Sequence, residues 1–252
     1  MKDFKIFSLI VMIVCITLSP NDVKAKQLTA TESNLSAKEK SIITIASLTA
    51  KGDLVTLKSE LNKGLEAGLT VNEVKEILIH TYAYCGFPRS IRGLQTFMEV
   101  LNERKTKGIN DESGKEASPI KEDGNKYQRG KTILEQLTKT QQPNTLTGYS
   151  AFAPVIDTFL KEHLFADIFE RDVLTYAQRE LVTISVISAI GDAEPMLKSH
   201  LSIAINVGVS AEQLKEFIGV IQPIIGRKKT KEAKETVNEV LKSRQKNNLK
   251  IK

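Results

Sequence analysis

Gly68-Leu-Thr-Val-Asn-Glu73 and Gly208-Val-Ser-Ala-Glu-Gln213 are one pattern written twice, and their reading decides the fold. Thr70 and Ser210 each stand three residues before a Glu or Gln. That is the spacing of a capping box, in which a hydroxyl and a carboxyl or amide satisfy two backbone N–H groups at a helix start. The glycine two residues earlier suits the left-handed turn that ends a preceding helix. Each stretch therefore reads as a corner between two helices.

Residues on both sides of the corners repeat in the same register. Thr44-Ile45 returns as Thr183-Ile184, and Ala50, Gly52 and Asp53 return as Ala189, Gly191 and Asp192, 139 positions later. After one inserted residue the offset is 140. Leu57-Lys58-Ser59 then matches Leu197-Lys198-Ser199, Lys75-Glu76 matches Lys215-Glu216, and Glu99-Val100-Leu101 matches Glu239-Val240-Leu241. A register kept over about sixty residues marks an internal repeat. Within the second copy Leu181, Ile184, Ile187 and Ser188 have helical spacing, as do Leu197, Leu201 and Ala204. No run alternates as a strand would. The expected fold is all-α, with two tandem helical repeats.

The domain plan follows from composition along the chain. Residues 1–25 read as a cleaved signal peptide: Lys2 and Lys5, an apolar run from Ile6 to Leu18, then Pro20 and Val23-Lys24-Ala25. The run is shorter than the roughly 20 residues a membrane span needs, so no stable span is expected after cleavage. Cys15 as a lipidation site is disfavoured by Val14 before it. The first repeat is expected at 26–104 and a polar linker at 105–125, punctuated by Gly108, Gly114, Pro119 and Gly124. The second repeat, with extra helices from Tyr127, covers 126–245, and 246–252 is a basic tail expected to fray. A periplasmic or secreted protein follows.

With the signal removed, Cys85 is the one remaining cysteine, so neither an internal disulfide nor a Cys-x-x-Cys pair can form. The formal charge of +6 lies largely in tail and linker lysines and does not point to nucleic acid. The three histidines have no metal-ligand spacing, and no glycine-rich phosphate loop occurs, so neither metal nor cofactor is expected.

Several segments together resemble a known family. Arg179-Glu-Leu-Val-Thr-Ile184, Leu197-Lys-Ser-His-Leu201 and Asn206-Val-Gly-Val-Ser210 look like the core of carboxymuconolactone decarboxylases. His80-Thr-Tyr-Ala-Tyr-Cys-Gly-Phe-Pro88 resembles the family's Tyr-Cys-Gly-x-Pro turn, and Tyr127-Gln-Arg-Gly130 its opening helix. The resemblance implies an alkylhydroperoxidase-like fold. It also implies a homo-oligomer, a trimer by analogy with hexameric single-repeat relatives. Alkylhydroperoxidase-like relatives use a Glu, a Cys-x-x-Cys pair and a His. Glu180 and His200 match the Glu and His, but the cysteine positions fall near Ala193 and Met196. Peroxiredoxin activity would have to rest on Cys85 alone.

The copies differ where chemistry would lie. Glu180 and His200 of the second copy face Ser41 and Glu60 in the first, whereas His80 and Cys85 of the first face Val220 and Ile225 in the second. A composite site made from both copies is therefore expected, with His200, Glu180, Cys85 and His80 as catalytic candidates. His200 is the foremost, because an imidazole exchanges protons near neutral pH. Glu180 would orient it, or would merely favour a helix start. Glu76 is placed to pair with His80 or to bind substrate. Gly86 and Pro88 shape a pocket wall, and Arg89 would hold an anion. The expected chemistry is cofactor-free acid–base catalysis on a small carboxylate or lactone. A Cys85 peroxidase and a non-catalytic small-molecule-binding protein are the alternatives.

Overall fold

A computed structural model describes residues 34–120 and 124–250, with side chains to 246. The expected signal segment and Cys15 lie outside the described residues. Among the described residues there is no strand, and no helix is long and apolar enough to cross a membrane. Copy one comprises α1 (Ala37–Lys51), α2 (Leu54–Glu66) and α3 (Val71–Thr106). Next come α4 (Lys126–Thr138), two single-turn helices, α5 (Gly148–Phe152) and α6 (Pro154–Thr158), and a π-helical segment (Phe159–Phe169). Copy two comprises α7 (Tyr176–Ile190), α8 (Glu194–Asn206), α9 (Ala211–Ile225) and α10 (Arg227–Lys250).

Each copy is punctuated alike. The capping boxes at Thr70/Glu73 and Ser210/Gln213 both form, and a second matched pair, Ser36/Glu39 and Thr175/Gln178, opens α1 and α7. The chain of α3 breaks at Gly86 (φ 80°, ψ 161°), and Gly226 separates α9 from α10 with nearly the same angles (φ 81°, ψ 171°). That combination is essentially confined to glycine. Pro88 then sits in the first turn of the second half of α3, where its missing N–H costs nothing.

The copies pack crosswise. α1 lies against α7, α3 against α7, and α9 against α1. This reciprocal pattern is that of an isologous dimer joined into one chain. α7 is central, and every residue from Arg179 to Ala189 is buried. The shared core is aliphatic, with Ile42, Ile45, Leu57, Leu61, Ile77, Leu78, Val182, Ile184 and Leu201 sealed beside Phe97 and Phe217.

A second, smaller core holds the lead-in. Ile133 and Leu137 of α4 pack on Leu164, Phe165, Ile168 and Phe169 of the π-helical segment and on Ile203 of α8. Gly130 permits the approach: a Cβ there would run into the Lys161 carbonyl. Lys161 is buried, and its ammonium bonds both oxygens of Asp157 at 2.6 Å and the Tyr127 hydroxyl at 2.8 Å. α8 thus stands between the two cores, with Leu197, Leu201 and Ala204 in one and Ile203 in the other.

The polar stretch between the copies is held against the first of them over 107–120. The N–H groups of Val71 and Asn72 donate to the carbonyls of Glu112 and Ser113, and Nδ2 of Asn72 reaches Gly114, Lys115 and Glu116. Arg104 clamps Asp111, and Asp172 takes Lys115 and Ser118. Its polar residues therefore fix the start of α3. Through the basic tail α10 continues to Lys250.

Candidate functional site

α7 and α8 bring Glu180 and His200 together. Nδ1 of His200 lies 3.0 Å from Oε2 of Glu180; the Glu180 side chain is fully sealed and that of His200 is 14% exposed. The carboxylate can only accept, so Nδ1 carries the proton when the ring is neutral. Nε2 is left with its lone pair and makes no hydrogen bond to the described residues. The other carboxylate oxygen of Glu180, Oε1, is buried without a partner.

Copy one supplies the opposite wall. The Tyr84 ring meets the His200 ring edge-on, with centroids 5.5 Å apart and an interplanar angle of 85°. It also lies 5.5 Å from the His80 ring, which in turn packs edge-on against Phe169 at 5.1 Å. The Tyr84 hydroxyl is buried and lacks a partner in hydrogen-bond geometry, although Thr183 and Glu180 are its polar neighbours. Burial first, and the Glu180 carboxylate second, push this phenol well above its ordinary value.

Beneath these groups runs a buried relay between the copies. Glu76, 2% exposed, takes two bonds from Nε and one from Nη2 of Arg171 at 2.9–3.1 Å, and one from Arg179 at 2.7 Å. Nη1 of Arg179 donates to Nδ1 of His80 at 3.1 Å. His80 must therefore hold its proton on Nε2, which donates to Oγ1 of Thr183 at 2.9 Å. The Thr183 hydroxyl passes its own proton to the Arg179 carbonyl at 3.0 Å.

The geometry can be set beside known proteins. The family model described as "Carboxymuconolactone decarboxylase family" matches residues 22–97 and 154–239. The chain belongs to this family. It holds two copies of the family's unit in tandem. A similar curated protein is the 4-carboxymuconolactone decarboxylase of Acinetobacter baylyi, 29% identical over 97 residues, which are 38% of this chain and 72% of that protein.

Within this carboxymuconolactone decarboxylase-family fold the remaining candidates separate. Glu76 is no free substrate ligand. Both its oxygens are engaged by arginines, and Arg179 stands between it and His80, so the direct Glu76–His80 pair does not form. Arg179 adjoins Glu180 in sequence and is fully buried, yet gave no signal, because a charge in an amphipathic pattern reads as exposed.

His80 is fully buried too, and burial, with Arg179 and His200 nearby, holds its pKa well below 6.5. It enters the site as a neutral wedge. Because the unfolded chain binds this proton first, stability is complete above pH 6.5 and falls as the pH drops below it. The expected loss is up to about 1.4 kcal/mol per pH unit below that point. Urea unfolding at pH 7 and pH 5.5, compared with His80→Gln, reads it; equal pH slopes in the two proteins would sink the assignment.

Cys85 donates its thiol to the Thr81 carbonyl of its own helix at 3.1 Å and packs on the shared core. Burial pushes its pKa up, more than Arg89 lowers it. A thiol held protonated is a poor nucleophile, so the surroundings of Cys85 lend the single-cysteine peroxidase no support. Gly86, Pro88 and Arg89 lie exposed at the break in α3, and the Arg89 guanidinium packs over Gly52 at the end of α1. The structure brings Glu180, His200 and His80 around Tyr84. Cys85 and Arg89 adjoin them at the end of the same helical run.

Proposed function

We propose that this protein is an exported carboxymuconolactone decarboxylase-like enzyme whose acid–base pair is Glu180 and His200. The observation that carries the reading is the 3.0 Å contact between Nδ1 of His200 and a sealed carboxylate, with Nε2 left open. A buried acceptor on Nδ1 fixes the tautomer and stabilises the imidazolium. Nε2 then takes a proton from a substrate or returns one. In decarboxylation of a carboxylated lactone the C–C bond to the carboxylate breaks and carbon dioxide leaves. The electron pair passes into the conjugated lactone carbonyl. His200, which has first taken a proton from solvent on Nε2, delivers that proton to the enolate carbon and returns to the neutral imidazole. The similarity to the Acinetobacter baylyi 4-carboxymuconolactone decarboxylase supports a small lactone bearing a carboxylate as the substrate class.

The direct test is incubation of the mature protein with 4-carboxymuconolactone and quantitation of released carbon dioxide. Release that saturates with substrate supports the reading. Tight binding without release would replace it with a non-catalytic ligand carrier.

Cleavage after residue 25 and assembly into a trimer belong to the same proposal. Exposed Tyr149, Phe152, Val155 and Phe159 on α5, α6 and the π-helical segment are apolar surface that association would cover. Native mass spectrometry of protein purified from the cell envelope reads both. An uncleaved or monomeric species would reject the corresponding part.

A further inference from the structure

Two buried polar atoms beside His200 lack partners: the Tyr84 hydroxyl and Oε1 of Glu180. Leaving a buried hydroxyl unmatched costs about 1–3 kcal/mol, and a phenylalanine would fill the same space without that cost. Of the polar groups nearby, the Thr183 hydroxyl donates to Arg179 and accepts from His80, and Arg179 spans Glu76 and His80, while Oε1 of Glu180 stays open. Tyr84 itself comes from copy one, and its ring edge-on to His200 lies against the imidazole that would do the chemistry. The ring is partly exposed while its oxygen is sealed. In the second copy the equivalent position is Ile224, so this hydroxyl belongs to one side of the pseudo-symmetric pair.

We propose that Tyr84 is a substrate-binding residue, donating its phenolic hydrogen to the carbonyl oxygen of a lactone held over His200. The inference rests on the Glu180–His200 reading. A phenol held protonated by burial and by the neighbouring carboxylate is a donor at every physiological pH. As the carbonyl gains electron density the hydrogen bond strengthens, which is how a single fixed donor accelerates a reaction.

The experiment compares wild type, Tyr84→Phe and His200→Asn with 4-carboxymuconolactone as the probe. Turnover by Tyr84→Phe is expected to fall about 10²–10³-fold, as loss of one such donor does elsewhere. Its melting temperature should be unchanged or higher, because no protein partner is orphaned. Tyrosine labelled with ¹³C at Cζ, assigned by the Phe variant, provides a readout free of chemistry. The Tyr84 resonance is expected to shift on adding the lactone to His200→Asn. Turnover by Tyr84→Phe within twofold of wild type overturns the inference while leaving the acid–base pair intact. So does a lowered melting temperature, which would assign the hydroxyl to Thr183. If wild type releases no carbon dioxide, a shifted Tyr84 resonance still supports the binding role and the acid–base reading alone fails. An unmoved resonance overturns the binding role whatever the activity.

Discussion

His200→Asn is expected to lower turnover of a carboxylated lactone by about 10²–10⁴-fold, the range for removal of a positioned acid–base group. Asparagine can still bond Glu180, so the sealed carboxylate is not left without its one partner. The fold should therefore survive, because the His200 side chain is partly exposed and α8 is anchored by Leu197, Leu201 and Ala204. Glu180→Gln is the complementary change. An amide can present its N–H₂ to Nδ1 and reverse the tautomer, placing the proton on Nε2. Its expected loss is of the same order, with the pH profile of kcat displaced as well. Activity unaltered in both variants would remove the pair from the mechanism. Activity lost together with near-ultraviolet circular dichroism would mean that the pair holds the fold instead.

Glu76→Ala should be the most destabilising of the charge deletions, by about 3–5 kcal/mol. The change leaves Arg179, with none of its surface exposed, as an unpaired charge inside the interface between the copies. Arg171 is a third exposed and can turn to water, so its share is small. Replacing both partners, as in Glu76→Leu with Arg179→Met, should recover part of the loss, since neither charge then needs a partner. The pH sign is definite. Burial alone would raise the Glu76 pKa above its ordinary 4.5, but bonds from Arg171 and Arg179 outweigh it and the net shift is downward. The stabilisation is therefore complete above pH 4.5 and is lost as the pH falls through the lowered value. Urea unfolding at pH 7 and pH 4 measures both effects. A loss under 1 kcal/mol for Glu76→Ala would mean that Arg179 is hydrated in place and the relay contributes little.

How far the residues themselves disclosed this arrangement depends on the range of each interaction. The repeat, the capping boxes and the glycine corners were legible because each acts within a few positions. The matched breaks at Gly86 and Gly226 could have been inferred from the same 140-residue offset. Glu76 lies 95 residues from Arg171 and 103 from Arg179, and no local pattern links them. Glu180 and His200, 20 positions apart, are singled out by the divergence of the copies and by the resemblance, and no local pattern pairs them. Of the partners of buried Lys161, Asp157 is four positions away, whereas Tyr127 is 34 away and meets it only once α4 packs. Tyr84 passed unnoticed because a tyrosine beside core positions reads as packing, and only the burial of an unmatched hydroxyl sets it apart.

The crosswise packing of two diverged copies also fixes how many molecules one chain can process. A symmetric dimer of single units carries each substitution twice, so neither of its sites can change alone. Here the mirror positions of Glu180, His200, Tyr84 and His80 hold Ser41, Glu60, Ile224 and Val220, which include neither an imidazole nor a phenol. The mirror of the buried Glu76–Arg179 bond survives as Lys40 with Glu216, both partly in solvent. Only one half keeps the proposed acid–base set, so a ligand titration should saturate at a single equivalent per polypeptide.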